Sequence, residues 1–389
     1  MLELASVFKV YGPEYLQKYG ENMLPSHKKA MEDIQHCRTQ VMGGHVSYCD
    51  ACDERVYAYH SCGNRHCPKC GDDRADEWRD RQMRKLLPVN YFMVTFTLPH
   101  TLNPIAHSNQ KLIYRLLFQS SAEALQTLAL NPEWLGGQIG MVGALHTWDR
   151  SMGYHLHVHY LVPAGGTDPK TGEWKPAHPT FLVPGSALSK VFQAKFRDAL
   201  NAETPELFAH VPPETWTKTW NVHCKPVGDG RTALKYLAPY ISRVALSNKR
   251  IVSMRAGKVT FSYKPRNKPW TTMKLDAMSF IRRFLQHVLP KGFQKVRYFG
   301  FLHPSAKHRF SALQQQLQEN LSEPGHASAV KEPTKPEEML PNRHTPEEPG
   351  VCPHCGAPLR YIGRLPRSPA IEPPLQHQRG PPCTQAEEC

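Results

Sequence analysis

Three histidines alternate with apolar residues in the segment YHLHVHYLVP, which covers residues 154–163. The alternation predicts a strand, because successive side chains of a strand point to opposite faces. His155, His157 and His159 would then share one face, with Val158 on the other. Neutral imidazole is the commonest side-chain metal ligand, so this face predicts a metal site. The three Cβ atoms would span about 13 Å, which disfavours a zinc hydrolase that holds one ion with all three.

A pair of tyrosines could supply a nucleophile for this metal site. Tyr236 and Tyr240 lie four residues apart in a predicted helix over residues 231–244, so they share one helical face. Such a pair could simply pack against the core. Beside a metal-binding strand it favours phosphoryl transfer, in which a tyrosine attacks a DNA phosphate and a divalent ion polarises a non-bridging oxygen.

Cysteines are clustered at the two ends of the chain. Six of the 11 cysteines lie between residues 37 and 70, and four lie after residue 351. Such clusters favour zinc over disulfides in an intracellular chain. Two CxxC pairs separated by 14 residues predict one structural four-sulfur zinc site with a short hairpin between them; its ligands would be Cys49, Cys52, Cys67 and Cys70. Cys37 and Cys62 could form a second zinc site with one histidine, either His45 or His66.

A third CxxC pair, Cys352 and Cys355, follows a segment of different composition. Residues from about 318 to 350 are rich in Pro, Glu, Lys and Ser and predict a linker. The sequence leaves three candidate zinc ligands near the C-terminus as partners of the third pair, and these are His377, Cys383 and Cys389.

Composition limits the kind of partner. Lys and Arg number 48 against 34 Asp and Glu, and the net charge of +14 favours a polyanion such as nucleic acid. No apolar run approaches the roughly 18 residues of a membrane span, and the N-terminus does not resemble a signal peptide. We therefore expect a cytoplasmic protein without a membrane partner.

The predicted elements indicate an α+β fold with an antiparallel sheet and helices on one face. Strands are predicted over residues 90–98, 140–148, 154–162 and 220–227, helices over 109–130, 188–200, 231–244 and 276–288, and a hairpin over 250–264. We divide the chain into four parts. These are an N-terminal helix and zinc ribbon (1–87), a catalytic domain (88–300), a linker (301–350) and a C-terminal zinc-knuckle-like tail (351–389).

Several motifs together resemble the HUH rolling-circle transposases of bacterial insertion sequences, in the two-tyrosine class with an N-terminal zinc-binding domain. The motifs are CGNRHCPKC (62–70), LHTW (145–148), HLHVH (155–159), KYLAPY (235–240) and FIRRFLQHVLPKGF (280–293). The resemblance covers residues from about 30 to 300. It implies an HUH nuclease core of the ferredoxin-like type.

The resemblance also implies site residues and partners. His157 and His159 would form the HUH pair that binds Mg²⁺ or Mn²⁺, with His155 as a third ligand and His146 as a weaker candidate. Tyr236 and Tyr240 would form 5′-phosphotyrosine links with single-stranded DNA at element ends, without a small-molecule substrate. Residues expected at the DNA are Arg65, Lys69, Lys235 and Arg243. The protein would be bacterial and associated with the nucleoid.

Two departures and two alternatives stay open. Position 239 is proline where the family often has arginine, and a proline inside a helix removes a backbone hydrogen bond. Imidazole suits zinc or manganese better than Mg²⁺. A conjugative relaxase or plasmid replication initiator would share the chemistry. A zinc DNA-binding protein without catalysis would explain the charge but would leave the histidine strand without a role.

Overall fold

The computed structural model describes residues 2–70, 78–242, 245–265, 267–322 and 350–368. These residues divide into two compact units. The larger unit contains residues 1–35 and 63–341, and the smaller unit contains residues 36–62 and 342–389. Within the described residues, no helix combines the length and the apolarity needed to cross a membrane.

The strands are β1 (Gly44–Cys49), β2 (Glu54–Tyr59), β3 (Tyr91–Thr97), β4 (Met141–Trp148), β5 (Tyr154–Pro163), β6 (Gly165–Thr167), β7 (Trp174–Pro176), β8 (Asn221–Pro226), β9 (Ile251–Arg255), β10 (Lys258–Tyr263), β11 (Thr271–Asp276), β12 (Val296–Phe299) and β13 (Arg360–Leu365). The helices are α1 (Leu4–Tyr19), α2 (Pro25–His36), α3 (Asn103–Ser108), α4 (Gln110–Leu130), α5 (Gly185–Glu203), α6 (Pro205–Ala209), α7 (Glu214–Thr217), α8 (Arg231–Ser242), α9 (Ala277–Leu285) and α10 (Lys307–Ser322). The α+β class with an antiparallel sheet is therefore confirmed.

The central sheet of the larger unit has five antiparallel strands in the order β12-β4-β5-β3-β8. One face carries large apolar side chains from β3 and β5, such as Phe96 and Tyr160, and packs against α4 and α5. The hydroxyl of Tyr160 lies 2.8 Å from the hydroxyl of Ser121 on α4. Removal of this apolar surface from water is the main force that holds these layers together.

The other face of the central sheet is partly covered by α8. Ala233, Leu234 and Leu237 of this helix are buried in a second cluster with Val142 of β4 and Leu161 of β5. Their spacing of one and four residues produces the apolar stripe that a helix needs to pack on a sheet. Helices therefore pack on both faces, whereas the sequence predicted helices on one face.

A separate three-stranded sheet, in the order β11-β10-β9, precedes α9. The predicted hairpin turns at Ala256 and Gly257, which both have positive φ, at 48° and 69°. This is the backbone conformation of the tight turns that suit two-residue hairpin loops. Helix α9 starts with Asp276 as its N-cap, whose side chain accepts a hydrogen bond from the Ser279 amide, and it packs on α1 through the Phe284 and Phe8 rings.

Residues 301–350 contain a packed helix in the part that was predicted as linker. Leu313 and Leu317 of α10 are buried against Leu87 and Phe301. Their four-residue spacing places them on one helical face. Within this range, the structure does not describe residues 323–349.

The smaller unit is a three-stranded antiparallel sheet in the order β13-β1-β2. Strands β1 and β2 form a hairpin whose turn follows Cys49, whereas the sequence predicted a hairpin between the two CxxC pairs, where only β2 lies. Strand β13 is added from the C-terminal part of the chain, with Gly44 opposite Leu365 and Tyr48 opposite Arg360. About 300 residues of sequence thus separate two neighbouring strands. The C-terminal tail is part of the same sheet as the N-terminal ribbon.

Candidate metal centre and cysteine cluster

The histidine strand is β5, and the alternation along it is as predicted. Leu156 and Val158 are buried in the core below the sheet, whereas His157 and His159 are partly exposed on the opposite face. This face is also the one on which α8 packs. The strand therefore presents its histidines toward the helix that contains the two tyrosines.

A third histidine is contributed by the neighbouring strand β4. In the antiparallel pairing of β4 and β5, His146 lies directly opposite His157. The ring nitrogens of His146, His157 and His159 all lie within 4.8 Å of one another. Three imidazoles gathered in this way form a donor set for a divalent ion, since each can offer one ring nitrogen.

His155, the predicted third ligand, is not a member of this group. Its ring lies between those of His157 and His100, with centroid distances of 4.9 and 5.4 Å. His155 and His159 are four residues apart on one strand, or about 13 Å. His146 is closer to the group because directly opposite residues on adjacent strands have Cβ atoms only about 5 Å apart.

Hydrogen bonds orient two of the three imidazoles. His157 Nδ1 lies 3.0 Å from the carbonyl oxygen of His155, and because a carbonyl only accepts, Nδ1 donates and Nε2 keeps its lone pair. His159 Nδ1 lies 2.8 Å from the hydroxyl of Thr95 on β3. Partners of this kind fix the tautomer and ring position of metal-binding histidines.

Burial keeps these rings neutral. Desolvation lowers the pKa of His146 and His157 well below the ordinary value, and it lowers the pKa of His159 to about 4. A histidine binds a metal only in its neutral form, so the ligand form of these imidazoles is the dominant one near neutral pH. Burial also lowers the pKa of Lys295 to about 7; its ammonium lies 4.8 Å from the centre of the Trp148 ring.

The two predicted nucleophiles lie on α8, whose backbone is helical from Arg231 to Ser242. The side chains of Tyr236 and Tyr240 lie outside the described part of the structure. Ala233 and Leu237, three residues before each tyrosine, are buried against the sheet. The backbone of this helix therefore lies on the face of the sheet that carries His157 and His159.

The four predicted DNA contacts have different surroundings. Arg65 donates to the carbonyl oxygens of Phe293 at 2.6 Å and Pro290 at 2.8 Å, so this arginine holds the 290–293 segment in place. Lys69 forms an ion pair with Glu3 at 2.7 Å. Lys235 is exposed on α8, and Arg243 lies outside the described residues.

The cysteine cluster of the smaller unit combines the two ends of the chain. Cys49, Cys52, Cys352 and Cys355 have sulfur atoms that all lie within 4.8 Å of one another. The sulfur–sulfur distances from Cys49 to Cys355 and from Cys52 to Cys352 are 3.5 and 3.6 Å. Four thiolates bound tetrahedrally at about 2.3 Å from zinc would be separated by about 3.8 Å. The arrangement fits a structural zinc ion.

The predicted single site of Cys49, Cys52, Cys67 and Cys70 is therefore wrong. Cys49 ends β1 and Cys52 lies in the turn that follows it. The sulfur atoms grouped with theirs are those of Cys352 and Cys355, not those of Cys67 and Cys70. The partner pair is brought to β1 by the pairing of β13, which the 14-residue spacing between the first two pairs could not reveal. The other candidate partners of Cys352 and Cys355 (His377, Cys383 and Cys389) lie outside the described residues.

Backbone groups favour the thiolate form of Cys352. Amides of Cys355 and His354 are directed at the sulfur of Cys352 and lower the pKa of that thiol. An ion pair between Arg360 and Asp50 also connects β13 to the loop of the first pair. The loop of Cys352 and Cys355 therefore stabilises the thiolate, which is the form of cysteine that binds zinc.

Two histidines that were candidates for the second zinc site have other partners. His66 is partly buried, and its Nε2 accepts a hydrogen bond from the Leu289 amide at 3.1 Å. His45 packs edge-to-face on His60, with the ring centroids 4.6 Å apart. The prediction of His66 as a zinc ligand is corrected, since its accepting nitrogen is in use.

The fold and the two candidate metal sites define a DNA-processing protein with a zinc-binding domain. Residues 140–309 match a family model described as "Putative transposase", and residues 7–98 match one described as "Transposase zinc-binding domain". The zinc-binding match and the cysteine cluster both support structural zinc.

Curated relatives agree with these family models. The chain is 36% identical to "Putative transposase y4qJ" of Sinorhizobium fredii over 321 residues, which cover 77% of this chain and 80% of the relative. It is 30% identical over 286 residues to "Transposase for insertion sequence element IS801" of Pseudomonas savastanoi pv. phaseolicola, which cover 68% of each chain. The chain belongs to the IS91-type HUH transposases with an N-terminal zinc-binding domain. No solved structure matches it.

Several residues of the site were not predicted from the sequence. Thr95, which bonds His159, lies on β3, and His223 lies on the edge strand β8, opposite Thr95. The alternation of Val222 and Cys224 with polar residues on β8 is a signal that could have marked His223 and Lys225 as residues of the same face.

Proposed function

We propose that this transposase nicks and rejoins single-stranded DNA at the ends of an insertion sequence through a tyrosine–DNA intermediate that depends on a divalent ion. The observation that carries the proposal is the group of His146, His157 and His159 on the face covered by α8, the helix that contains Tyr236 and Tyr240. The family supports DNA as the substrate.

The three histidines would hold the ion. All three imidazoles are neutral and buried or partly buried, and three nitrogen ligands leave further positions for phosphate oxygens and water. This donor set suits Mn²⁺ better than Mg²⁺, which prefers oxygen ligands. When bound, the ion would polarise a non-bridging oxygen of the cleaved phosphate and balance the charge that develops there.

The tyrosine would supply the nucleophile. Its phenol gives up its proton to solvent, and the phenolate oxygen forms a bond with phosphorus while the bond to the 3′ oxygen breaks. The 3′ oxygen leaves with the electron pair and takes up a proton. The products are a 5′-phosphotyrosine link and a free 3′-hydroxyl, which together keep the phosphodiester bond energy for rejoining to the second end or to the target.

Helix α8 supports the assignment of the nucleophile by its position. Ala233 and Leu237 are buried against the same sheet face that holds the histidines, and positions 236 and 240 follow each of them by three residues. Residues separated by three or four positions are neighbours on a helical surface. The proline at position 239 removes one backbone hydrogen bond of this helix, so we propose that the two tyrosines differ in reactivity.

A structural zinc ion would support the fold of the smaller unit, where Cys49, Cys52, Cys352 and Cys355 would bind it. Cys37 and Cys62 of the same unit are proposed as ligands of a second ion, and the Cys62 amide donates to the Cys37 sulfur at 3.4 Å. Cys37→Ser would then lower the zinc content by one ion per chain, as measured by elemental analysis.

The nucleophile is tested by covalent trapping. The purified protein is incubated with Mn²⁺ and an end-labelled single strand that contains an element end, and the products are separated on a denaturing gel. We expect a labelled protein–DNA band that Tyr236→Phe combined with Tyr240→Phe abolishes. Tyr19→Phe, on α1, is the matched control and should keep the band. A band that persists in the double variant would contradict the tyrosine mechanism.

A further inference from the structure

The edge strand β8 presents polar side chains to the metal face of the sheet. Val222 and Cys224 of β8 pack toward the core, so His223 and Lys225 point to the opposite face. The register places Thr95 of β3 opposite both His159 of β5 and His223 of β8. One row across three strands therefore contains His159, Thr95 and His223.

A cavity of about 530 Å³ lies above this row. Its volume falls in the range of about 300–1,000 Å³ that is typical of small-molecule and cofactor sites. The lining residues come from β3, β5, β8 and the start of α8, and they are Met93, Thr95, His159, His223, Lys225, Val227, Thr232 and Ala233. His159 of the candidate metal centre thus lines one side of the cavity. Thr232 and Ala233 of α8, the helix that contains the two tyrosines, line another side.

The charge of the cavity is suited to an anion. Its lining contains one cationic side chain, that of Lys225, and no carboxylate. The nearest acidic residue along the chain, Asp229, makes its ion pair with Arg231 instead. Among the described residues, no ion pair neutralises Lys225, and its ammonium is exposed. The apolar part of the lining, such as Met93 and Val227, offers a surface for a base or a sugar.

His223 is too far from the metal centre to be one of its ligands. Two steps across a sheet separate it from His159, or about 10 Å, whereas ligands of one ion lie about 2 Å from it. Its place in the row therefore indicates a different task, next to the site at which a phosphate would be cleaved.

We propose that this cavity holds the nucleotide next to the cleaved bond of the single strand, and that Lys225 and His223 bind its phosphate. This inference rests on the proposed function, because it takes the metal centre as the position of the cleaved phosphate. Lysine binds phosphate as a point charge, and a histidine N–H can donate a hydrogen bond to a phosphate oxygen. The edge strand would thus fix the position of the DNA relative to the metal.

The test measures binding without cleavage. The full-length protein with Tyr236→Phe and Tyr240→Phe is titrated with a labelled single strand in buffer without Mn²⁺ or Mg²⁺, at several salt concentrations. Each lysine–phosphate contact on single-stranded DNA contributes about 0.7 to the slope of log affinity against log salt. Lys225→Met should lower the slope by about 0.7 and weaken binding several-fold near 0.1 M salt, and His223→Gln should weaken binding to a smaller extent. The matched control is Lys258→Met, on the separate sheet, which should change neither quantity.

A second measurement identifies the phosphate. Single methylphosphonate substitutions remove the charge of one phosphate at a time along the strand. The parent should lose affinity at the phosphate next to the cleaved one, and Lys225→Met should be insensitive at that position alone. An unchanged salt slope, or equal sensitivity of both proteins at every phosphate, would overturn the inference. No covalent link forms in this binding assay, so its result does not depend on the tyrosines. If the trapping experiment gives no covalent band while Lys225→Met still lowers the salt slope, the tyrosine mechanism is rejected but DNA binding in the cavity is not.

Discussion

His146 and His157 lie directly opposite each other on β4 and β5, with ring centroids 5.0 Å apart. This cross-strand pair, joined by His159, places the candidate metal centre between two strands. The third histidine of the group is therefore determined by the register of the sheet. A slip of one residue would move His146 to the other face of β4, into the apolar core.

Replacement of His146 is expected to remove the metal centre. His146→Ala should weaken Mn²⁺ binding by about 100-fold or more and abolish the covalent band, because two imidazoles are left to hold the ion. The matched control is His155→Ala, since His155 is outside the group, and it should reduce Mn²⁺ affinity by less than about threefold. Calorimetric titration with Mn²⁺ measures both. Equal losses of Mn²⁺ affinity in the two variants would contradict the assignment of His146, rather than His155, as the third ligand.

The hydroxyl of Thr95 is expected to tune the site through His159. Thr95→Val removes the partner of His159 Nδ1 while it keeps the shape of the side chain, and losses of such partners cost about 10–100-fold in metal affinity or activity. Thr95→Ser keeps the hydroxyl and should retain most of the affinity. The ratio of the Mn²⁺ dissociation constants of the two variants checks this role. If Thr95→Val and Thr95→Ser bind Mn²⁺ with the same affinity, the hydroxyl of Thr95 does not affect the metal site and the residue contributes by packing alone.

The C-terminal knuckle is expected to be required for zinc binding by the N-terminal hairpin. Cys352→Ser should lower the zinc content, measured by elemental analysis, by one ion per chain. Cys49→Ser should have the same effect, and the double variant should lose no more than either single one. Zinc content that is unchanged in Cys352→Ser would restore the predicted site of Cys49, Cys52, Cys67 and Cys70.

Acidification is expected to destabilise the larger unit through buried neutral histidines. Burial lowers the pKa of His287 to about 3 and that of His27 to about 4. The unfolded chain binds these protons near pH 6.5, so between pH 6.5 and 4 the unfolded state holds more protons than the folded one. The free energy of unfolding that these histidines contribute is therefore fully present above pH 6.5 and decreases as the pH falls from 6.5 to 4.

A variant isolates this effect from the loss of zinc at low pH. His287 lies 3.2 Å from both the Thr147 hydroxyl and the Met152 carbonyl oxygen. His287→Asn should lower the melting temperature at pH 7.5 but reduce its dependence on pH between 6.5 and 4. Since zinc loss affects both proteins, the difference between their pH profiles is the informative quantity. Parallel profiles would show that His287 does not titrate on unfolding.

Local patterns were sufficient for much of the fold and for part of the site. Two-residue alternation predicted β5 and the shared face of His157 and His159, and apolar runs predicted β3, β4, α4 and α5 to within a few residues. These features depend on contacts close in sequence, so a single segment contains their signal. Five short motifs taken together, among them those of residues 62–70 and 235–240, indicated the resemblance to transposases, which the comparisons confirmed.

Other features were decided by the tertiary structure alone. His146 rather than His155 completes the histidine group because β4 pairs with β5 in one register. Cys352 and Cys355 join Cys49 and Cys52 because β13 pairs with β1 across about 300 residues of sequence. The cavity beside Lys225 exists because α8 packs over strands from three parts of the chain. Strand register and closure between distant segments depend on the packing of the whole chain, and no local period of side chains specifies them.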